Sequence, residues 1–253
     1  MRVDVALIPP ASVSPGSTCL VVDVLRATSV MATLFGRGLR AAWLAGSIED
    51  GRALRATLGE RPGGLMLCGE VNALPPEGFD YGNSPLEFER LALGGRLPAE
   101  AVLATTNGTP ALLACRAAAL VLPAAPLNAA AAVRVAVEAG RDVLVVCSGL
   151  VPAAGGRAPG EDDTLAAGLL VDRLVRAGAT PGKDARAALA AYEAVRDDLG
   201  AALKRTEHGA RITGIGFGDD VERCATADVY DTVATLRIED GRAVLRPLSD
   251  ASA

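Results

Sequence analysis

The chain has 253 residues, 50% of them hydrophobic but only 3% aromatic, so one large or two modest domains must be packed from Ala, Val and Leu. The net charge is −5 with acids and bases interspersed, and no Lys/Arg block or uninterrupted twenty-residue apolar run occurs, which argues against nucleic-acid binding and membrane spanning. Five cysteines (Cys19, Cys68, Cys115, Cys147, Cys224), an odd number without C-x-x-C spacing, indicate neither a zinc knuckle nor a disulfide framework.

In chain order, the first residues carry no basic stretch leading into a long apolar run, so no export signal is expected and a reduced, cytoplasmic setting is the default. Thr18–Val22 is a short β-branched run ending at Asp23, the pattern of a strand buried on both faces. Thr28 or Ser29 can cap a helix bearing Val30, Met31 and Leu34, closed by Gly36 and Gly38. Trp43 and Phe79 read as core. Residues 101–104 form a second strand, leading through Thr105-Thr106-Asn107-Gly108 into a helix with Leu112 and Leu113. A strand at 120–122, a helix around 133–137 stopped by Gly140, and a strand at 143–146 follow. A Gly/Ala/Pro-rich loop spans 152–160, and a helix with Ala166, Leu169, Leu170 and Leu174 comes after it. Leu189, Tyr192, Leu199 and Leu203 mark one further amphipathic helix. Residues 214–218 are too glycine-rich for a strand, Asp219 and Asp220 open a short helix, and the last residues alternate like an edge strand.

Strands alternating with helices predict an α/β fold: two α/β lobes with mostly parallel or mixed sheets, helices on both faces and the site in the cleft between them. The composition shift at Pro123–Pro126 places the boundary between lobes 1–124 and 125–253.

Short polar loops stand where the strands end, and α/β folds bind ligands at the carboxyl ends of their strands. They are Asp23–Thr28, Asp80–Pro85, Thr105–Thr109 and Gly160–Thr164. Carboxylates, amides, hydroxyls and an Arg together suit metal-assisted chemistry on a phosphate. Arg26 is the expected bidentate clamp on an anion. Thr28, Asn83, Ser84, Thr106, Asn107 and Gly108 are the expected hydrogen-bond donors. A single histidine, His208, makes a His-rich zinc or iron site untenable, so a metal would be held by oxygen, which favours Mg²⁺. Asp23, Glu161 and Asp162 lead the expected metal ligands or water activators, with Glu70 and Asp80 behind them. Any one of these acids also reads as an ordinary helix cap.

Several phosphate-handling designs fail on spacing. Gly182-Lys183 is followed by Asp184, and residue 177 is Ala, so there is no Walker A loop. No cysteine is followed six residues later by Arg, and Asp23 lacks the second Asp of haloacid-type hydrolases. Glu207 stands where a histidine phosphatase would carry Arg. Two other classes stay open: a thiol hydrolase using Cys147 with His208, and a non-catalytic binder of anionic metabolites.

The ordered set Val22–Thr28, Gly69-Glu70, Asp80–Pro85, Thr105–Thr109, Asn128, Cys147-Ser148-Gly149, Glu161-Asp162 and His208-Gly209 resembles the 2-phosphosulfolactate phosphatase family over nearly the whole chain. Ala104 stands where relatives commonly carry a further Thr. The resemblance implies a Mg²⁺-dependent hydrolase of coenzyme M biosynthesis that converts 2-phosphosulfolactate to sulfolactate and inorganic phosphate. It adds Asn128 to the substrate-binding residues, and it accords with Asp23, Arg26, Glu161 and His208 as the catalytic group. The expected partner is a small anionic phosphorylated substrate; Ala- and Leu-rich helices would also suit a homodimer face.

Overall fold

The computed structural model describes residues 1–152 and 155–248. Residues 153–154, part of the loop expected at 152–160, lie outside the described residues. The strands are β1 (Arg2–Ala6), β2 (Thr18–Val22), β3 (Ala41–Ala45), β4 (Leu65–Glu70), β5 (Glu100–Thr105), β6 (Leu120–Pro123), β7 (Val143–Cys147), β8 (Thr180–Pro181), β9 (Ala234–Glu239) and β10 (Arg242–Pro247). The helices are α1 (Ala27–Gly36), α2 (Ile48–Leu58), α3 (Pro85–Leu93), α4 (Gly108–Ala114), α5 (Ala129–Glu138), α6 (Glu161–Arg176), α7 (Lys183–Glu193), α8 (Leu199–Arg205), α9 (Glu207–Ile212) and α10 (Gly218–Ala225).

Two five-stranded sheets result, in the orders β6-β2-β7-β1-β8 and β4-β5-β3-β10-β9. The first is parallel throughout. In the second, β3, β4 and β5 are parallel, and β10 runs antiparallel to both β3 and β9. The chain is therefore α/β, with one parallel and one mixed sheet. The first sheet takes β1 and β2 from before residue 124 and β7 and β8 from after it, so the boundary expected at 124/125 runs through this sheet.

β2 shows why the sheets pack together. Its residues alternate between two apolar clusters: Leu20 and Val22 meet Val145, Leu170 and Leu174, whereas Cys19 and Val21 join Met31, Leu34, Leu44, Met66 and Leu103. The second cluster draws on both sheets, and every β2 residue is buried. A strand buried on both faces has no polar side to present, as its unbroken apolar run predicts.

Some elements depart from the expectation. β3 reads Ala-Ala-Trp-Leu-Ala, with no β-branched residue, and is held as a strand by its place between β5 and β10. Trp43 is buried there and donates from Nε1 to Glu100 at 2.8 Å. The helix expected across Leu189–Leu203 is two helices: the turn before α8 ends at Asp198, whose carboxylate accepts from Ala201 N–H at 2.9 Å. The glycine-rich stretch forms a wide helical turn at Thr213–Phe217, with Gly216 at φ 96°, joining α9 to α10. β9, not the final strand, is the sheet edge. Asp240 and Gly241, at φ 50° and 74°, make the tight turn into β10.

Candidate active site

A cavity of about 460 Å³ lies at the carboxyl ends of strands from both sheets. That volume is within the range of small-molecule sites. Asp23, Leu25 and Arg26 enter it after β2, Glu70–Ala73 at the end of β4, and Thr106 and Asn107 after β5. Leu150, Val151, Pro152, Ala158 and Pro159 follow β7; Asn83 completes one wall, and α9 supplies Glu207, His208, Arg211 and Ile212. Register explains the convergence. Val22 pairs with Cys147, and Glu70 with Thr105, so in each sheet two parallel strands end side by side.

Asp23 sits at the first of these ends. Its backbone N–H donates to Thr28 Oγ1 (3.1 Å), and that hydroxyl donates back to the Asp23 carbonyl (3.0 Å), which fixes the turn into α1. Oδ1 accepts from Ala27 N–H at 3.3 Å, whereas Oδ2 receives no hydrogen bond from the described residues. A Cβ built on Gly108 would fall 2.8 Å from that Oδ2 and 2.4 Å from the Ala27 Cβ. Glycine is therefore what lets α4 begin against the carboxylate. Burial pushes Asp23 up to about 6; the positive His208 opposes this, and Glu70 and Asp162 reinforce it.

α9 carries the histidine. Nδ1 of His208 lies 2.9 Å from Asp162 Oδ2, and both residues are buried. Burial alone would lower the imidazole pKa, but the Asp162 hydrogen bond and charge, with Asp23, outweigh it and hold His208 above its ordinary value; Arg211 acts against them. With Nδ1 committed, Nε2 is the ring nitrogen left for chemistry. The adjoining Gly209 has a packing reason: a Cβ there would lie 1.8 Å from the Leu203 carbonyl oxygen, so only glycine lets α9 turn so tightly off α8.

The Glu161-Asp162-Asp163 run divides by helix geometry. Glu161 is exposed and does not line the cavity, contrary to its expected catalytic and metal-binding role. Asp162 holds His208, although it does not itself line the cavity; its Oδ1 is buried without a hydrogen-bond partner among the described residues. Asp163 accepts from Val24 N–H (2.9 Å), Ser148 Oγ (2.9 Å) and Gly149 N–H (3.1 Å), pinning the ends of β2 and β7 to α6. Burial pushes its carboxyl well above the usual range. The Cys147-Ser148-Gly149 motif thus belongs to this joint, with Gly149 at φ 65°.

Arg26 lines the cavity, but its fork is not free. Nη1 binds Asp220 at 2.6 Å, Nη2 donates to the Ala73 carbonyl at 2.7 Å, and Phe217 lies under the guanidinium at 4.3 Å. Ser84 caps α3 by accepting from Glu87 N–H (3.1 Å) and donates to Asp220 (2.8 Å), so it braces Arg26 rather than facing the cavity. Thr28 and Gly108 likewise build the turn instead of lining it. Asn128 folds back on its own turn, accepting from Ala125 N–H (2.9 Å) and donating to the Pro123 carbonyl (3.3 Å). Asp80 accepts from Leu67 N–H at 2.7 Å, outside the cavity. Of the expected donors, Asn83, Thr106 and Asn107 do line it.

Sequence reasoning missed Asp220 and Arg211 as site residues, and it placed Asp163 only among the acids near strand ends without giving it a role. Asp220 reads as an ordinary helix-start acid. Arg211 had a signal, since it stands three residues after His208, on the same face of the helix.

Both Glu70 oxygens are engaged, Oε2 by Ala73 N–H (3.0 Å) and Oε1 by Thr106 N–H (2.8 Å), which orients its carboxylate on the cavity wall. Asp23 and Glu70 thus place two like charges in one space, and Glu70 makes Asp23 harder to ionise. A cation would relieve that repulsion. Among the described residues no three acids, histidines or cysteines close on one point. Mg²⁺ does not require such a cage: it keeps several waters and takes one or two carboxylates with substrate phosphate oxygens. The donor set fits it.

The thiol route finds no support in the geometry. Cys147 is fully buried, does not line the cavity, and has its thiol pushed well above its ordinary pKa by burial and by Asp163 and Asp162.

The class defined by this fold and site is an α/β enzyme with acid, imidazole and guanidinium groups gathered where parallel strands end. Residues 5–239 match the family model described as 2-phosphosulpholactate phosphatase. A Thermotoga petrophila protein named "probable 2-phosphosulfolactate phosphatase" is 37% identical, the match covering 92% of this chain and 95% of that one. Proteins of the same name from Thermus thermophilus (36% identical, 97% and 98% covered) and Deinococcus radiodurans (34%, 93% of each) are similar at the same level. The chain belongs to the 2-phosphosulfolactate phosphatase family and is a phosphatase, a phosphoric monoester hydrolase.

Proposed function

We propose that the protein is a cytosolic, Mg²⁺-dependent phosphatase of 2-phosphosulfolactate, or of a related small 2-phospho acid, releasing sulfolactate and inorganic phosphate. The observation that carries the reading is Asp23: a buried cavity acid with one carboxylate oxygen that no donor among the described residues engages, beside a histidine that is favoured in its protonated form. The names of the relatives support the substrate, and five buried, unpaired cysteines accord with a reducing compartment.

In this reading Asp23 Oδ2 attacks phosphorus, and the bond from phosphorus to the substrate's C2 oxygen breaks. His208, aligned through Nδ1 by Asp162, gives its Nε2 proton to the departing oxygen. Water then cleaves the aspartyl phosphate while His208 takes a proton back. Asn83, Thr106 and Asn107 orient the anion from the wall, and Asp163 and Arg26 keep the β2 turn in place. Asp23 and Glu70 are the residues that would hold Mg²⁺, which when bound neutralises phosphate charge and orients the ester. Phosphate-monoester hydrolysis is slow enough uncatalysed that enzymes accelerate it by up to roughly 10²¹. Positioning and charge stabilisation must both contribute.

The test is a single turnover quenched by acid and reduced with borohydride, with phosphate release followed with and without EDTA. The reading predicts a phosphorylated Asp23 that borohydride converts to homoserine, and activity lost to EDTA, then restored by Mg²⁺. Phosphate release with no trapped acyl phosphate at Asp23 would replace the covalent route by direct water attack; activity indifferent to EDTA would remove the metal.

A further inference from the structure

The cavity is bordered by two arginines in opposite situations. Arg26 is buried and spent on Asp220, the Ala73 carbonyl and the Phe217 ring. Arg211 is exposed at the cavity wall and makes no ion pair or hydrogen bond with any described residue. A guanidinium facing a ligand cavity without a protein counter-charge is a preformed anion contact.

Its place relative to His208 says which anion. Both lie on α9, three residues apart, so they share a helix face with an axial offset of about 4.5 Å at 1.5 Å per residue. In the reading above, His208 protonates the oxygen leaving phosphorus. That oxygen is bonded to C2, so whatever else C2 carries lies one or two bonds beyond it. The phosphoryl group itself is committed to the Asp23 end. We infer that Arg211 is the specificity-determining residue of the site, binding the acid group on the carbon next to the scissile ester and so selecting phosphorylated 2-hydroxy acids over phosphomonoesters that lack this second acid group. Arg211 suits this task better than Arg26, because an unpaired guanidinium binds a carboxylate or sulfonate without first giving up an internal partner.

The inference rests on the phosphatase reading, and its test separates the two. Steady-state kinetics are measured for wild type and Arg211→Gln on 2-phospholactate and on isopropyl phosphate, which replaces the carboxylate by a methyl group of similar size. Arg211 is exposed, so the variant should keep the wild-type melting temperature, which is checked alongside. Loss of a charge-assisted hydrogen-bonded pair should lower kcat/KM for 2-phospholactate roughly 10- to 100-fold, mainly through KM. The preference for 2-phospholactate over isopropyl phosphate should fall by at least about tenfold, and Arg211→Lys should recover part of it. Equal losses on both substrates would place Arg211 on the phosphate and overturn the inference, as would no loss on either. Wild-type enzyme that releases phosphate from neither compound, nor from 2-phosphosulfolactate, would overturn the phosphatase reading and this inference with it.

Discussion

The turn after β2 and the cavity-facing side of α9 supply the cavity with the same kinds of group, yet they treat them differently. In the turn, Arg26 and Thr28 are buried and bonded into the protein: Arg26 to Asp220 and Ala73, Thr28 to the Asp23 backbone. On α9, Arg211 is exposed and His208 is buried; among the described residues Arg211 has no ion pair or hydrogen bond, and His208 has a partner at Nδ1 only. One region spends its polar groups on holding a single carboxylate still. The other leaves them for the ligand. Polar residues at a strand end can thus serve the frame or the chemistry, and burial with satisfied partners distinguishes the two.

The largest expected effect is on the framing side. Asp220→Ala strands a buried guanidinium, and breaking a buried ion pair in this way costs about 3–5 kcal/mol. Arg211→Gln, on an exposed and unpaired side chain, should change stability by no more than about 0.5 kcal/mol. Denaturant melts of the two variants compare the regions directly, and similar losses would erase the distinction.

On the chemical side, His208→Gln should lower kcat roughly 10²- to 10⁴-fold, the usual worth of a positioned acid–base group. The pH profile adds a sharper reading. Asp23 acts ionised, and Mg²⁺ held by it would draw its pKa below the metal-free value of about 6, so kcat/KM should rise with pH along an acid limb lying below 6. His208 acts protonated with a raised pKa, so activity should fall at higher pH, above its ordinary value near 6.5. His208→Gln should remove the alkaline limb and leave the acid limb. A profile unchanged in shape would dissociate His208 from proton transfer.

A smaller effect concerns stability. The pKa of Asp23 is raised in the fold, from 3.8 to about 6, so the ionised side chain destabilises the native state. The penalty is full above about pH 6, shrinks as pH falls, and is absent below about pH 4. Asp23→Asn should therefore stabilise the metal-free protein at pH 7.5 by up to about 3 kcal/mol, since two pKa units correspond to that amount, and lose its advantage near pH 4. Thermal melts at the two pH values check the sign. The smallest effect is expected for Cys147→Ser: because the thiol is buried away from the cavity, kcat should stay within about threefold of wild type.

Much of this arrangement was legible in the sequence because strand ends announce themselves. The runs ending at Asp23 and Thr105 are short, apolar and followed by polar turns, and both end at the cavity. Which member of a polar cluster faces inward was not legible. Glu161, Asp162 and Asp163 are three successive acids at one helix start, and only their rotation about α6 exposes the first and buries the other two. Ser84, Asp80 and Asn128 carry the residue types of ligands and of caps alike; their hydrogen bonds are to the backbone or to Asp220. β3 was silent because its Ala-rich sequence becomes a strand through its neighbours. The topology that sends β1, β2, β7 and β8 to one sheet across residue 124 rests on long-range pairing, which no local pattern records.

The most direct test of the account is phosphate release from 2-phosphosulfolactate by wild type and by folded Asp23→Asn under the same Mg²⁺ concentration. The account predicts steady release by the wild type and a loss of at least about 10³-fold in the variant, in which a neutral amide replaces the attacking oxygen. A variant that keeps its fold and releases phosphate within about threefold of wild type would contradict the assignment of the chemistry to Asp23.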